Sequence, residues 1–265
     1  MKKILLFFSI ILFLSACTGN QKTYYISMPN FKSTFEEHNN TNANSPKVKI
    51  NDVEIIKNTF YSSYFEQSTL NQRINKSLEL LKKQLLEDSK ALLQSKGYII
   101  DNENPDYAFN IVINASLYED KVTRNSSLGG DSVESSFMII LEAQSHLNNL
   151  HQEDTFQSTT SSAKLNDPII LNYPIKGQAS IESFREVYSA VPTQVNESLA
   201  ASALEIDKVF VAFYKEIASS LKTSIKEIKE EPKTQERSEV QDVKQDDKKE
   251  EKATPYQNNE VIIFE

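Results

Sequence analysis

The sequence predicts an α+β domain: an antiparallel sheet of about four strands with two long amphipathic helices on one face. Three observations predict it. Two stretches repeat apolar residues at spacings of three and four, and one long stretch alternates apolar with polar residues. Faces that are apolar on one side only must be buried against each other, which is the logic of a helix layer on a half-buried sheet.

Taken in order, Val53 to Phe60 reads as a first strand, although Ile55 and Ile56 interrupt its alternation. Ser68 is placed to cap the first long helix. Leu70, Ile74, Leu78, Leu81, Leu85 and Leu92 then form its apolar stripe. Gly97, after Lys96, suits the left-handed position that ends a helix, with Tyr98 next for the accompanying apolar contact. After Asn102-Glu103-Asn104-Pro105, Tyr107, Phe109, Ile111, Ile113, Ala115 and Leu117 alternate with Asn110, Asn114, Ser116 and Tyr118. That is the pattern of a half-buried antiparallel strand.

A polar loop from Glu119 to Asp131, containing Gly129-Gly130, leads to a second alternating run at Phe137, Ile139, Leu141 and Ala143. A third strand is expected over Thr155 to Ser162, after a turn at Asn148-Asn149. Asn166 to Ser180, with Pro168 and Pro174, is expected to be an irregular crossing. The second long helix begins near Asn196 or Ser198, carries Leu199, Ala203, Ile206, Phe210, Phe213 and Ile217, and is expected to run to about Glu230. At about 1.5 Å per residue it would reach roughly 50 Å.

The N-terminus carries a different message. Lys2 and Lys3 precede an apolar run from Ile4 to Leu14, broken only by Ser9. Roughly 11 residues are too few for a membrane span, which needs about 20, but they fit a secretory signal. The exit, Leu14-Ser15-Ala16-Cys17, resembles the lipobox of bacterial lipoproteins, in which the thiol accepts a diacylglyceryl group before cleavage. The organisation read from the sequence is a signal peptide at 1–16, a lipidated tether at 17–50, the domain at 51–230 and a disordered charged tail at 231–265. Acyl chains contribute about 0.8 kcal/mol per buried CH₂, so two or more hold a soluble domain at a membrane durably. Thr18 follows the cysteine where inner-membrane lipoproteins usually carry aspartate. In this the chain resembles the sorted lipoproteins of Gram-negative bacteria, and the resemblance implies the outer membrane as its destination.

Charge and composition narrow the partners. Lys and Arg number 29 against 37 Asp and Glu. Losing Lys2 and Lys3 with the signal leaves a net charge of −10. Nucleic acid is excluded as a partner, because phosphate binding needs a basic face. One cysteine cannot form a disulfide within the chain, and Cys17 is committed to lipid.

No cofactor and no enzymatic activity are expected, because nucleophile-elbow, P-loop and dinucleotide fingerprints are missing. His38, His146 and His151, with Glu142, Glu153 and Asp154, read as solvated residues around turns, so no metal is expected either. Two features remain as candidate binding elements. Lys121 and Arg124, among Thr123, Asn125, Ser126 and Ser127, offer the cations and hydroxyls that an acidic sugar needs. Val261-Ile262-Ile263-Phe264 ends the charged tail with a β-prone segment suited to pairing with a partner's sheet edge.

The succession of a helix, Leu92-Leu93-Gln94-Ser95-Lys96-Gly97-Tyr98, an acidic turn, a long alternating strand, a polar loop, the strand Phe137 to Glu142 and a C-terminal helix resembles the neuraminyllactose-binding haemagglutinin lipoproteins of epsilonproteobacteria. The overlap runs from Val53 to about Glu230. The resemblance implies an outer-membrane or surface adhesin linked to sialylated glycans. It also implies a basic sugar-binding run in the loop after the long strand, where this chain has Lys121 and Arg124 beside Glu119 and Asp120. The alternative from the residues is a periplasm-facing structural or assembly lipoprotein that binds other envelope proteins.

Overall fold

A computed structural model of the chain describes residues 22–35, 40–127, 130–151, 156–165, 167–174 and 191–228. Cys17, His38, Gly129 and Val261 to Phe264 lie outside the described residues, as do 166 and 175–180 of the expected crossing. The described part of that crossing is not irregular: Ile169–Pro174 forms a strand, because the hairpin arm at Ser132 to Phe137 supplies its hydrogen bonds.

The strands are β1 (Thr23–Tyr25), β2 (Lys47–Ile50), β3 (Glu54–Phe60), β4 (Ile99–Ile100), β5 (Tyr107–Ser127), β6 (Gly130–Asn149), β7 (Phe156–Lys164), β8 (Ile169–Pro174) and β9 (Gln194–Asn196). The helices are α1 (Ser63–Glu66), α2 (Thr69–Ser95) and α3 (Glu197–Ser224).

The antiparallel sheet of about four strands expected from the sequence is not what forms. Among the described residues the main sheet has seven strands of mixed direction, and β1 and β9 make a separate two-stranded ribbon. Both β2 and β3 run parallel to β5, and β2 also pairs in parallel with β4. The reason is the order of elements. A strand followed by a helix that crosses the sheet returns the next strand parallel to the first, and β3, α2 and β5 form such a unit. Only the hairpin side follows the antiparallel expectation, with β6 pairing β5, β7 and β8.

The hairpin sets the scale of the molecule. β5 has 21 residues and β6 has 20, about 70 Å of strand at 3.4 Å per residue. No flanking strand is that long, so each flank is filled by two in succession. β2 and then β3 line β5, while β7 lines the base half of β6 and β8 its outer half. The expected strand at Tyr107 to Tyr118 thus continues through a segment read as loop.

One face of the sheet holds the core. Phe109, Ile111, Ile113, Ala115 and Leu117 of β5 and Val133, Phe137, Ile139, Leu141 and Ala143 of β6 are buried. Against them pack the α2 stripe (Leu70 through Leu92) and the α3 stripe, with Phe210, Phe213 and Ile217 at its centre. The two helices run side by side in the same direction. Arg73 meets Asp207, Asp88 meets Tyr214, and Lys96 O accepts from Ile228 N–H at 2.9 Å.

The ends of α2 form as the sequence indicates. Ser68 Oγ accepts from Asn71 N–H at 3.2 Å. At the other end Tyr98 N–H reaches Leu93 O at 2.9 Å and Gly97 N–H reaches Gln94 O at 3.1 Å. These are the two bonds of a Schellman motif. Gly97 sits at φ +92°, and an added Cβ would lie 3.3 Å from Ile228 Cβ. Gly97→Ala should therefore cost about 1–2 kcal/mol, combining left-handed strain with crowding, read as a lower urea midpoint at unchanged slope.

Two further stretches differ from the expectation. α3 stops at Ser224 because Ile225 turns extended (φ −79°, ψ 115°) to bury its side chain, which carries Ile228 back to the end of α2. Residues 22–35 and 40–50 are folded onto the domain. Phe31 packs on Tyr214 with ring centroids 5.4 Å apart, and Val48 is fully buried.

Candidate functional site

Side chains at even positions of β5 from Ala108 to Asp120 point away from the helices, and no described element covers that face. The pairing register places Ile56, Asn58 and Phe60 of β3 beside Asn114, Ser116 and Tyr118 of β5, with Met138 of β6 opposite Tyr118. Phe60 and Tyr118 stack with centroids 5.1 Å apart and planes within 4°. They remain 59% and 39% exposed, so the stack is an aromatic platform rather than core. Asn58, Asn114, Ser116 and Ser136 supply amides and hydroxyls around it, and Glu54, Asp120, Glu134 and Glu142 outnumber Lys49 and Lys164 on the same face, which leaves it net acidic.

The segment expected to be a polar loop is instead a bulged strand. Asp120 pairs with Ser136 and Thr123 with Glu134, so Lys121 and Val122 together oppose Ser135. Lys121 takes φ +53°, and its N–H donates to Asp120 Oδ1 at 2.7 Å. The extra residue restores an inward phase to Arg124, which pairs with inward-facing Val133. Arg124 forms an ion pair with Asp131 across the hairpin and interacts with Tyr64 of α1. Hydrogen bonding to Asp131 raises the Arg124 pKa, and the same bond, with one from Ser126, lowers that of Asp131. Arg124 therefore lies on the helix side of the hairpin, whereas the aromatic stack lies on the other.

Just below the bulge the structure assembles a polar cluster that the sequence reading missed. Glu119 Oε2 accepts from Ser62 N–H at 2.9 Å and Ser62 Oγ at 2.6 Å, and Oε1 accepts from Ser135 Oγ at 2.6 Å and Tyr173 OH at 2.5 Å. Burial first, then Glu119, raises the Tyr173 pKa. One carboxylate thereby joins the α1 cap, both arms of the hairpin and β8. With every donor drawn from the protein, it is built to hold the bulge rather than to bind a ligand. The signal was present in the alternation, since Glu119 continues the inward series of Ile113, Ala115 and Leu117.

A second cluster ties the N-terminal segment down. The fully buried Arg73 guanidinium donates to both Asp207 oxygens (2.9 and 2.5 Å), to Ile26 O at 3.0 Å, Ser27 O at 2.6 Å and Pro192 O at 2.8 Å. The remaining histidines stand apart. His146 lies on β6 opposite Asn110, and His151 Nε2 is 3.4 Å from Asp106 Oδ1. Among the described residues no group of three or more His, Cys, Asp and Glu is placed to hold a metal ion, and no helix is long and apolar enough to cross a membrane.

Comparison with known proteins adds one firm statement. Residues 1–18 match the prokaryotic membrane lipoprotein lipid attachment site. No curated protein matches the chain. Among solved structures, a neuraminyllactose-binding hemagglutinin homolog from Helicobacter pylori is 15% identical, with a TM-score of 0.32 over 73% of this chain and 99% of that one. A minor lipoprotein from Acinetobacter baumannii is 12% identical, with a TM-score of 0.21 over 68% and 92%. Likenesses this weak define neither the fold nor the ligand. The attachment site does define the class: the chain is a membrane-anchored prokaryotic lipoprotein.

Proposed function

We propose that this lipoprotein is a non-enzymatic, adhesin-like binding protein, acylated at Cys17, sorted to the outer membrane and displayed on the cell surface. Its ligand surface is the face of the hairpin sheet that no described element covers, and the ligand is a glycan. The observation that carries the reading is the exposed Phe60–Tyr118 stack among Asn58, Asn114, Ser116 and Ser136. Aromatic faces pack against the C–H face of a sugar ring, and the surrounding amides and hydroxyls exchange hydrogen bonds with its hydroxyl groups. The acids on this face repel a carboxylate, so a neutral ring is favoured at the stack over sialic acid itself.

The test is titration of the full-length protein in detergent micelles with lactose and sialyllactose. Lactose should bind at least as well as its sialylated form. Phe60→Ser and Tyr118→Ser should each weaken binding about tenfold, equivalent to about 1.4 kcal/mol of lost contact. Unchanged binding by the double variant would remove this face from consideration.

The edge of β3 favours a second reading, since β3 pairs only with β5 among the described residues. An unpaired edge suits strand addition by another envelope protein, with the lipoprotein facing the periplasm. Protease shaving of intact cells separates the two. Digestion of the domain while a periplasmic control survives supports surface display, and resistance until the outer membrane is opened supports the assembly role.

A further inference from the structure

The lipid anchor leaves the domain at a definite place. Five residues, Thr18 to Lys22, separate Cys17 from the first strand, and six chain steps reach at most about 20 Å. Lys22 is already fixed, its carbonyl accepting from Glu197 N–H at 2.9 Å at the first residue of α3. The start of α3 must then lie within about 20 Å of the acylated cysteine.

That end of the molecule is also the end from which the hairpin tip projects. Along α3, the later residue Ser220 bonds Ser161 of β7, which pairs with the base half of β6. The helix therefore starts toward β8 and the tip. α2 likewise starts just after α1, whose cap holds Glu119 below the bulge. The opposite end carries Gly97, Ile228 and Leu150.

The β1–β9 ribbon sits where the anchor leaves, and its composition is unlike that of a solvated ribbon. Every residue of β1 is exposed, with Tyr24 at 44% and Tyr25 at 77%. Val191, whose carbonyl accepts from Gln194 N–H at 2.9 Å, is exposed beside them. Tyr24 OH reaches back to Glu197 at 3.3 Å, while Tyr25 points to the opposite side of the ribbon. Tyrosine has an apolar ring and a polar tip, the combination that concentrates at the boundary between headgroups and acyl chains.

We propose that the β1–β9 ribbon rests in the headgroup layer of the bilayer that holds the anchor, with Tyr25 as its principal contact. This rests on the lipid-anchor reading and adds an orientation to it. The hairpin tip, with Lys121 and Arg124, faces the bilayer. The Leu150 end faces away, and the sheet face that no described element covers stands to the side.

The chain has no tryptophan, so single tryptophans report depth without background. The full lipidated protein is reconstituted into phosphatidylethanolamine–phosphatidylglycerol vesicles, with and without bromine at upper acyl positions. Flotation is scored first, and a chain that does not float overturns both the anchor and the docking. In floating protein, Gln194→Trp, opposite Tyr25 in the ribbon, should shift to the blue and lose emission to bromine. Leu150→Trp should do neither. Adding Tyr24→Ser and Tyr25→Ser to Gln194→Trp should restore the emission without loss of flotation. An unquenched Gln194→Trp overturns the docking while leaving the anchor intact. Quenching that survives the loss of both tyrosines also overturns it, because a short tether alone would then account for the proximity.

Discussion

Arg73→Met should lower stability by about 3–5 kcal/mol, the cost expected when one partner of a buried ion pair is removed. The fully buried guanidinium supplies five N–H donors, and its partners are the Asp207 carboxylate and the carbonyls of Ile26, Ser27 and Pro192. Methionine fills much of the volume but donates nothing. It leaves a partly buried carboxylate without its counter-charge and three carbonyls without a donor. At about 2–4 °C per kcal/mol for a domain of this size, the melting temperature should fall by roughly 6–20 °C. Arg73→Lys keeps the charge but not the planar fork, and should recover only part of the loss.

The pH dependence separates this account from simple loss of packing. Burial, only partly offset by Arg73, already holds the Asp207 pKa above its usual value. A carboxyl whose folded pKa is raised contributes stability that is present below the unfolded value and lost as pH rises through the folded one. Removing Arg73 raises the folded value further, so the variant should regain part of its stability on going from pH 7 to pH 5, measured by urea unfolding at each pH. A deficit that does not change with pH would mean that Asp207 is hydrated in the variant. The defect also has a place. Ile26, Ser27 and Pro192 flank the ribbon next to the lipid anchor, so its amides should lose hydrogen-exchange protection before those of the hairpin.

Much of the fold was legible where a periodic pattern met a capping residue. Ser68, the α2 stripe and Gly97 fix one helix to the residue, because cap chemistry and apolar spacing agree there. The extension of β5 beyond Tyr118 was not legible. Its side chains from Lys121 to Ser126 are exposed and carry no alternation, and the strand exists because β6 supplies its hydrogen bonds. β2 is four residues long in a polar stretch, and only its register on β5 reveals that Val48 is core. The mixed direction of the sheet, by contrast, was present in the order strand, helix, strand and was overridden by the cleaner alternation of the hairpin.

The polar clusters show a different kind of legibility. Arg73 lies between Leu70, Ile74 and Ser77 on the apolar stripe of α2, and Asp88 lies between Leu85 and Leu92 on the same stripe. A charged group in the phase of a core face must find partners there, and both do: Arg73 with Asp207, Asp88 with Tyr214 at 2.5 Å. What the sequence could not supply was the identity of the partners, which lie 134 and 126 residues away. The aromatic stack was hidden for the same reason. Phe60 and Tyr118 become neighbours only through the parallel register of β3 on β5.

Glu119 allows the sharpest test of how the bulge is held. Glu119→Ala removes the acceptor of four donors, of which Ser62 N–H cannot rotate to find another. At about 1–3 kcal/mol for each buried group left unsatisfied, a loss of at least 3 kcal/mol is expected. Glu119→Gln should cost far less, about 1 kcal/mol. Its carbonyl can serve Ser62, while its amide donates to Ser135 Oγ and Tyr173 OH, hydroxyls that can turn to accept. The alkaline limb distinguishes this network from a packing effect. With its folded pKa raised above the usual value near 10, the Tyr173 phenol contributes fully below about pH 10 and loses that contribution as pH rises. Tyr173→Phe should therefore be less stable than wild type at pH 7 and converge on it above pH 10. A constant gap across that range would mean that the phenol proton is not what holds Glu119. In Glu119→Ala, proteolysis at the hairpin tip should also accelerate before the domain unfolds, because α1, β6 and β8 meet the bulge through this carboxylate.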